Sequence, residues 1–326
     1  QAAGHKFASE TDSDVIAPED FYPITLEAFT WQGQLECIPQ NISSLVVYYN
    51  RDLFQAAGVA EPADDWTWDD FLAAAKALTL DSDGDGQTDQ YGLGVEASLY
   101  RLAPFIWQNG GELVDDPAFP MQLALPRVPA LEALTWFTEL QTVHGVVPGR
   151  EAEASQDSES RFLAGTTAMY LNSRRGTPTY RESAAFDWDI APLPRGVVEA
   201  GVLHSDGYCL SATAADKDAA WRFIEFANSP EGQRIVAQSG RTVPSLMAVA
   251  ESDAFLDPAQ RPARSRVFLD TIPALRLVPV LSTWNDIEST ASEEIERAFY
   301  GDISPEEAAI LARDRTEEYF QLAVRP

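Results

Sequence analysis

Basic residues are scarce in this sequence. Lysine and arginine together number 23, whereas aspartate and glutamate number 51, which gives a formal net charge of −28 at neutral pH. A surface this acidic repels nucleic acid and anionic membrane faces. We therefore expect no nucleic-acid partner.

Long hydrophobic runs and enzyme motifs are also missing. No apolar stretch approaches the roughly 18 residues needed to cross a bilayer, and the longest candidate, 45–49, has the length of a buried strand. No GxSxG, HExxH, GxxxxGKS/T or GxGxxG pattern occurs, and His5, His144 and His204 are isolated. These absences favour a protein that binds a ligand without transforming it. Because carboxylates are abundant, a glycosidase-like pair stays open as an alternative.

Only two cysteines are present, Cys37 and Cys209, and neither belongs to a CxxC or zinc-ligand pattern. Two cysteines are compatible with a disulfide, with two buried thiols or with two unrelated positions. Judged from the count alone, buried thiols are the favoured interpretation.

The start of the sequence lacks a secretion signal. Residues 1–6 include no initiator methionine, no basic region and no apolar core of a signal peptide. We expect that the signal segment, and more of the N-terminal region with it, is absent from this sequence.

Helix and strand signals alternate along the chain, which is long enough for about two domains. Capping residues and apolar positions at helical spacing predict helices at 51–57, from Thr67, around 131–140, at 216–228 and from Ser304. Short apolar segments predict strands at 45–49, 168–171, 188–192 and 208–211. This alternation indicates an α/β fold with largely parallel sheets.

The acidic segment 81–89 matches the first half of a calcium-binding loop. Aspartates at the first, third and fifth positions converge on a hard cation, and Gly86 permits the sharp turn. Gly92 stands where a complete loop has a bidentate glutamate, so a remote carboxylate or water would finish the shell. A solvated acidic turn is the alternative. We predict a structural calcium site with the ligands Asp81, Asp83, Asp85, Gln87 and Asp89.

The segment 107–111, WQNGG, allows two interpretations. Trp107 and two amides ahead of paired glycines can form an aromatic platform with hydrogen-bonding edges for a hydroxyl-rich ligand. A helix end at Gly110, with Trp107 in the core, explains the same residues equally well.

Several segments, taken in order, resemble the extracytoplasmic solute-binding proteins of ABC sugar importers, the group of maltose-binding protein. The resemblance extends from about Phe21 to the C-terminal helix. The order and spacing of the segments make it specific. The matching segments are CIPQN at 37–41, YYNRDLFQAAG at 48–58, WTWDDFLAAAKAL at 66–78, WQNGG at 107–111, FLAGTTAM at 162–169, GYCLS at 207–211 and AAWRFI at 219–224.

The resemblance implies a periplasmic-binding-protein-like fold, with two α/β lobes joined by hinge strands and a ligand cleft between them. The implied crossings lie near residues 40, 208 and 274. One lobe, expected to be incomplete, would comprise 1–40 and 208–274, and the other 41–207 and 275–326. Cys37 and Cys209 would then lie on neighbouring hinge strands, where a disulfide would restrict closure.

The family pattern also implies a ligand site. Many members have a Gly-Pro-Trp or Gly-Ser-Trp turn where this chain has Asn172-Ser173-Arg174-Arg175-Gly176. An arginine there favours a ligand with an anionic group, or bidentate bonds to vicinal hydroxyls, unless it is merely a surface charge. Arg241 is a further candidate near the cleft. The predicted ligand-binding residues are Gln40, Asn41, Tyr100, Trp107, Asn109, Arg175, Asp206 and Trp284.

The implied function is that of a sugar or oligosaccharide receptor, which closes on its ligand and delivers it to the membrane permease of an ABC transporter. We expect a monomer that is not an enzyme and that is located outside the cytoplasm, in the periplasm or anchored to the cell surface by a lipid. A secreted carbohydrate-active enzyme and a calcium-dependent adhesion or scaffold module are the alternatives.

Overall fold

The computed structural model describes residues 17–323. The helices are α1 Pro23–Ala28, α2 Arg51–Ala57, α3 Trp68–Ala77, α4 Leu99–Gln108, α5 Val128–Thr142, α6 Arg150–Ser155, α7 Ser158–Leu163, α8 Thr177–Ser183, α9 Lys217–Ala227, α10 Pro230–Gln238, α11 Met247–Ala250, α12 Asp253–Leu256, α13 Val267–Asp270, α14 Trp284–Phe299 and α15 Pro305–Leu322. Short 3-10 turns occupy Pro18–Asp20, Arg174–Gly176 and Ile272–Ala274. The strands are β1 Thr30–Trp31, β2 Gln34–Leu35, β3 Cys37–Pro39, β4 Leu45–Asn50, β5 Tyr91–Gly94, β6 Thr167–Ser173, β7 Trp188–Ala191, β8 Gly201–Val202, β9 Gly207–Cys209 and β10 Leu275–Arg276.

The helix starts follow the capping residues of the sequence. Thr67 accepts a hydrogen bond from the backbone of Asp70, whose carboxylate accepts one from Thr67 in return; this capping box confirms the helix start predicted at Thr67. Ser304 caps α15 through the backbone N–H of Glu307. Among the described helices, none is both long enough and apolar enough to cross a membrane.

The central sheet has the strand order β5-β6-β4-β7. Only β5 and β6 are parallel, since β4 runs antiparallel to both of its neighbours. The prediction of largely parallel sheets is therefore wrong for this sheet. The sequence reveals that strands and helices alternate, but it does not reveal the direction in which the chain returns to pair distant strands.

Strand β4 is buried on both faces, which explains its uninterrupted apolar sequence. Val47 and Tyr49 belong to one hydrophobic core, together with residues of α3, α4, α5, α14 and α15. Val46 and Tyr48 point the other way and belong to a second core, which extends through 203–275. The central sheet therefore separates two hydrophobic cores.

Short strands lie at or beside each of the three implied crossings, and a 3-10 turn at Ile272–Ala274 precedes the third. Strand β3 pairs with β9 in antiparallel fashion, and β8 pairs with β10 in parallel. The lobe boundaries themselves stay a prediction. Residues 1–16 of the first predicted lobe, which include His5, and residues 324–326 of the second lie outside the described residues.

Cys37 and Cys209 stand opposite each other in the β3–β9 pair and form a disulfide, with their Cα atoms 4.3 Å apart. Cys209 is exposed, and Cys37 is half-buried. The interpretation of two buried thiols is therefore wrong. It relied on the count of cysteines, whereas the pairing arises from strands 172 residues apart in sequence.

Candidate functional site

A polar pocket of about 270 Å³ opens beside the β3–β9 crossing. It combines four segments that are distant in sequence, and it contains two arginines, one carboxylate, one imidazole and several hydroxyl groups. Its lining residues are Asn41, Ser43, Ser173, Arg175, His204, Asp206, Arg241 and Thr242.

Backbone pairing places these segments side by side. Ser43 and His204 exchange two backbone hydrogen bonds of 2.8 and 2.9 Å. The backbone N–H of Ile42 donates to Val243 at 2.9 Å, on the other side of the same segment. The stretch from Asn41 to Ser43 therefore lies between the crossing at 204–206 and the turn at 241–243.

Asn41 and Asp206 form the most constrained polar pair of the pocket. The Asn41 amide nitrogen donates to the Asp206 carboxylate at 2.9 Å, and its amide oxygen accepts from the Asp206 backbone at 3.1 Å. Asn41 is buried, whereas Asp206 is exposed. This arrangement fixes the carboxylate in place while leaving it accessible to the hydroxyl groups of a ligand.

Arg174, which is almost fully buried, connects the two sides of the pocket. Its Nε donates to the Gly240 carbonyl at 2.8 Å and its Nη1 to Ser265 Oγ at 3.0 Å. The guanidinium also lies 4.8 Å from the ring centroid of Phe255. Burial lowers the pKa of Arg174 to about 10, so the group is still charged at neutral pH. Because these contacts anchor the Arg174 side chain, the backbone on either side of Arg174 is held in place.

His204 is half-buried at the pocket wall, with its ring edge-on to that of Tyr100 at 6.2 Å between centroids. Burial lowers its pKa, and the nearby charge of Arg175 lowers it further, whereas Asp206 acts in the opposite direction. The imidazole is therefore neutral at pH 7 and offers one donor and one acceptor.

We expect the imidazole of His204 to titrate below the ordinary histidine pKa of about 6.5 in an NMR pH titration. The His204→Asn variant assigns the resonance by its loss. The Arg175→Ala variant should raise the pKa, because it removes a repelling positive charge. A wild-type pKa at or above 6.5 would contradict the described burial.

Tyr100 lies against His204 at the edge of the pocket, whereas Trp284 is not among the described residues that line it. The hydroxyl of Tyr100 is buried without a hydrogen-bond partner. The Trp284 indole donates to the Glu288 carboxylate at 3.1 Å, and burial raises the pKa of that carboxyl group. Arg101 lies beside Tyr100. Its guanidinium is 5.5 Å from the Tyr100 ring centroid, and it pairs with Glu96 at 3.5 Å.

Trp107 and Asn109 lie apart from the pocket. Trp107 is buried near the end of α4, which ends at Gln108 and is followed by the C-cap Asn109 and by Gly110 with a φ of 76°, so the helix-end interpretation is confirmed. Trp107 lines a different cavity, where the Arg276 guanidinium lies 5.0 Å from its ring centroid. The Asn109 amide donates to the Pro129 carbonyl at 2.8 Å.

Gln40 contributes its backbone to the site. Its N–H donates to the Asp206 carbonyl at 2.8 Å, and its side chain is not among those that line the pocket. Asn41, Arg175 and Asp206 are therefore the predicted ligand residues that the structure brings together, with Arg241 beside them.

Sequence reasoning missed four lining residues, Ser43, Ser173, His204 and Thr242. Ser173 and Thr242 adjoin segments whose arginines were singled out, which is the one signal that the sequence offers for them. Ser43 and His204 become neighbours only through long-range backbone pairing.

The acidic loop lies on the surface, away from the pocket. Carboxylate oxygens of Asp81, Asp83 and Asp89 all come within 4.8 Å of one another. Asp85 is not part of this converging group, and its carboxylate accepts hydrogen bonds from the backbone and the side-chain amide of Gln87. Hydrogen bonds from the side chain and the backbone of Ser82 lower the pKa of Asp89, which favours the ionised carboxylate.

Comparisons with known proteins relate the chain to binding proteins. It is similar to a binding protein of Brucella abortus, with 24% identity over 278 residues, 84% of this chain and 65% of that protein. It is similar to the mannitol-binding protein of Pseudomonas aeruginosa, with 22% identity over 339 residues, 95% of this chain and 75% of that protein. The chain thus spans less than two thirds of the length of the Brucella relative.

The fold of the chain is also similar to that of a solved structure. An ABC substrate-binding protein of Listeria monocytogenes in complex with cycloalternan superposes with a TM-score of 0.86 and 25% identity, over 94% of this chain and 77% of that chain. The predicted class, a two-lobed periplasmic-binding-protein-like α/β fold, is confirmed. The family model of the bacterial extracellular solute-binding proteins matches residues 2–263. The chain therefore belongs to the bacterial extracellular solute-binding protein family.

Proposed function

We propose that the protein is the substrate-binding component of an ABC transporter, which binds a sugar or oligosaccharide beside its crossing strands and delivers it to the permease. The observation that carries this proposal is the position of the polar pocket at the β3–β9 crossing. Closure about such a crossing encloses a ligand between lobes. Relatives described as binding mannitol and cycloalternan support a carbohydrate ligand.

The chemistry of the pocket fits a hydroxyl-rich ligand. Asp206 and the neutral His204 supply acceptors, while Ser43 and Thr242 supply hydroxyl groups that donate or accept. A few convergent polar groups that fix orientation are typical of small-molecule sites.

The pocket favours binding over hydrolysis. A glycosidase needs two carboxyl groups on either side of the scissile bond. Asp206 is the single carboxylate among the described residues that line this pocket. Relatives that are binding proteins support the same view. We therefore propose a receptor without enzymatic activity, which acts as a monomer.

Membership of an extracellular solute-binding family implies an extracytoplasmic location. We propose that the protein acts in the periplasm or is held at the cell surface by a lipid anchor.

A thermal-shift screen against mono- and oligosaccharides, followed by chromatography of each hit, tests the proposal. A sugar at 100 times its Kd stabilises the folded state by about 2.7 kcal/mol, so we expect a rise in melting temperature of several degrees. Recovery of the unchanged sugar supports a receptor. Recovery of a cleaved sugar would show an enzyme instead.

We also propose that the loop of Asp81, Asp83 and Asp89 binds calcium as a structural ion. The three converging carboxylates support this, because hard cations prefer oxygen ligands. Asp85 and Gln87 belong to the same loop and complete the predicted ligand set, with water in the remaining positions.

Calcium should raise the melting temperature of the wild-type protein, and a chelator should reverse the rise. The Asp81→Asn/Asp83→Asn variant should lose the response, because two of the three converging carboxylates are neutralised. Asp116→Asn, in another exposed acidic turn, is the matched control and should respond as the wild type does. An equal calcium response in all three proteins would contradict the proposed site. Loss of sugar binding on adding chelator would favour a calcium-dependent adhesion module.

A further inference from the structure

Two arginines of the pocket have no protein partner for their charge. Arg175 follows strand β6, and Arg241 follows helix α10. Both are exposed and line the same cavity. Within residues 17–323, neither guanidinium makes an ion pair or donates a side-chain hydrogen bond.

Several other arginines of this acidic protein form ion pairs with carboxylates. Arg51 pairs with Glu61 and Asp187, Arg276 with Glu112, and Arg315 with two glutamates of α14. Arg175 and Arg241 instead face the pocket without such a partner, although the sequence contains 51 acidic side chains. The charge inside the pocket is thus opposite in sign to that of the whole protein.

The carboxylate of the pocket does not neutralise this charge. Asp206 is held by the Asn41 amide at 2.9 Å and forms no ion pair with Arg175 or Arg241. The two arginines against one carboxylate leave the pocket with a net positive charge, to which the neutral His204 adds nothing. An anionic group would complete this arrangement.

The two arginines are held in place by a buried group. Arg174 precedes Arg175 in the chain, and its Nε binds the carbonyl of Gly240, the residue before Arg241. This hydrogen bond fixes the distance between the end of β6 and the turn after α10. Arg174 is therefore a positioning residue that presents both guanidinium groups to the cavity, so less ordering is needed when a ligand binds.

We propose that the ligand is a sugar with an anionic group, a carboxylate or a phosphate, which Arg175 and Arg241 bind while Asp206 accepts hydrogen bonds from neutral hydroxyls. The proposal rests on the function proposed above and specifies the chemical class of its substrate. Guanidinium groups match both anions in geometry, because each offers paired donors in one plane.

Calorimetric titration with matched neutral and anionic sugars tests the proposal. The probes are glucose against glucuronate and glucose 6-phosphate, and maltotriose against trigalacturonate. We expect at least one anionic sugar to bind 10-fold or more tightly than its neutral counterpart, with an affinity that falls as salt is added. Whether the uronates or the phosphate bind more tightly identifies the anion.

Arg175→Ala and Arg241→Ala should each weaken binding of the preferred anionic sugar about 10- to 100-fold. Arg175→Lys should recover part of the loss, because it keeps the charge without the paired donors. Arg222→Ala, at an exposed position of α9, is the control and should bind as the wild type does. Melting temperatures of the variants check that each is folded.

The outcomes separate this proposal from the function on which it rests. Neutral sugars that bind as tightly as the anionic ones, or variants with unchanged affinity, would overturn the anionic ligand and leave the sugar receptor standing. Binding of inorganic phosphate as tightly as glucose 6-phosphate would also overturn it, because the sugar would then contribute nothing. Failure of every sugar to bind at millimolar concentration would overturn both.

Discussion

Replacing Cys37 and Cys209 with alanine should lower the free energy of unfolding by about 4 kcal/mol. The disulfide closes a loop of 172 residues, and in the chain-entropy model a loop of about 100 residues already contributes nearly 5 kcal/mol. We place the expected value slightly lower because denatured chains retain some compact structure. Urea denaturation of the wild type and the double variant, both under oxidising conditions, measures the difference.

Reduction provides the control for this prediction. Dithiothreitol should bring the wild-type protein close to the stability of the double variant, and it should leave the double variant unchanged. The disulfide connects directly opposed residues of the crossing strands β3 and β9, so its loss also releases a constraint on the hinge. A double variant as stable as the oxidised wild type would contradict this account.

Asp206→Ala should weaken binding of the proposed sugar ligand by about 10- to 100-fold. A hydrogen bond to a charged group contributes about 1.5–3 kcal/mol, and each 1.4 kcal/mol corresponds to a factor of ten. The carboxylate is exposed to the pocket and oriented by Asn41, so its removal deletes an acceptor that needs no rearrangement before binding. Calorimetric titration with the best sugar from the screen measures the loss.

The matched control is Glu182→Ala, which removes an exposed carboxylate of α8 outside the pocket. Its affinity should equal that of the wild type, even though the net charge changes by the same amount. Equal losses in both variants would mean that overall charge governs binding. An unchanged affinity in Asp206→Ala would exclude the carboxylate from the site.

Local interactions made part of the fold predictable. Thr67 and Asp70 mark a helix start because capping involves residues three apart in sequence. The apolar run 45–49 predicts a buried strand, and β4 is indeed buried on both faces. The family resemblance predicted part of the candidate site. Asn41, Arg175 and Asp206 lie on different segments of the chain, yet they line the same pocket.

Long-range pairing explains what the sequence did not reveal. The antiparallel direction of β4 relative to β6 and β7 depends on how the chain returns over more than a hundred residues. The disulfide depends on the register of β3 against β9. Trp107 satisfied the pattern of an aromatic platform, yet its position at a buried helix end is determined by packing in the core.

Calorimetric titration of the wild-type protein with the best-binding sugar, followed by chromatography of the recovered ligand, tests whether the protein binds a sugar without converting it. We expect saturable binding at one site per chain, with the sugar recovered unchanged after prolonged incubation. Conversion of the sugar to a product, or the absence of saturable binding to any carbohydrate, would contradict it.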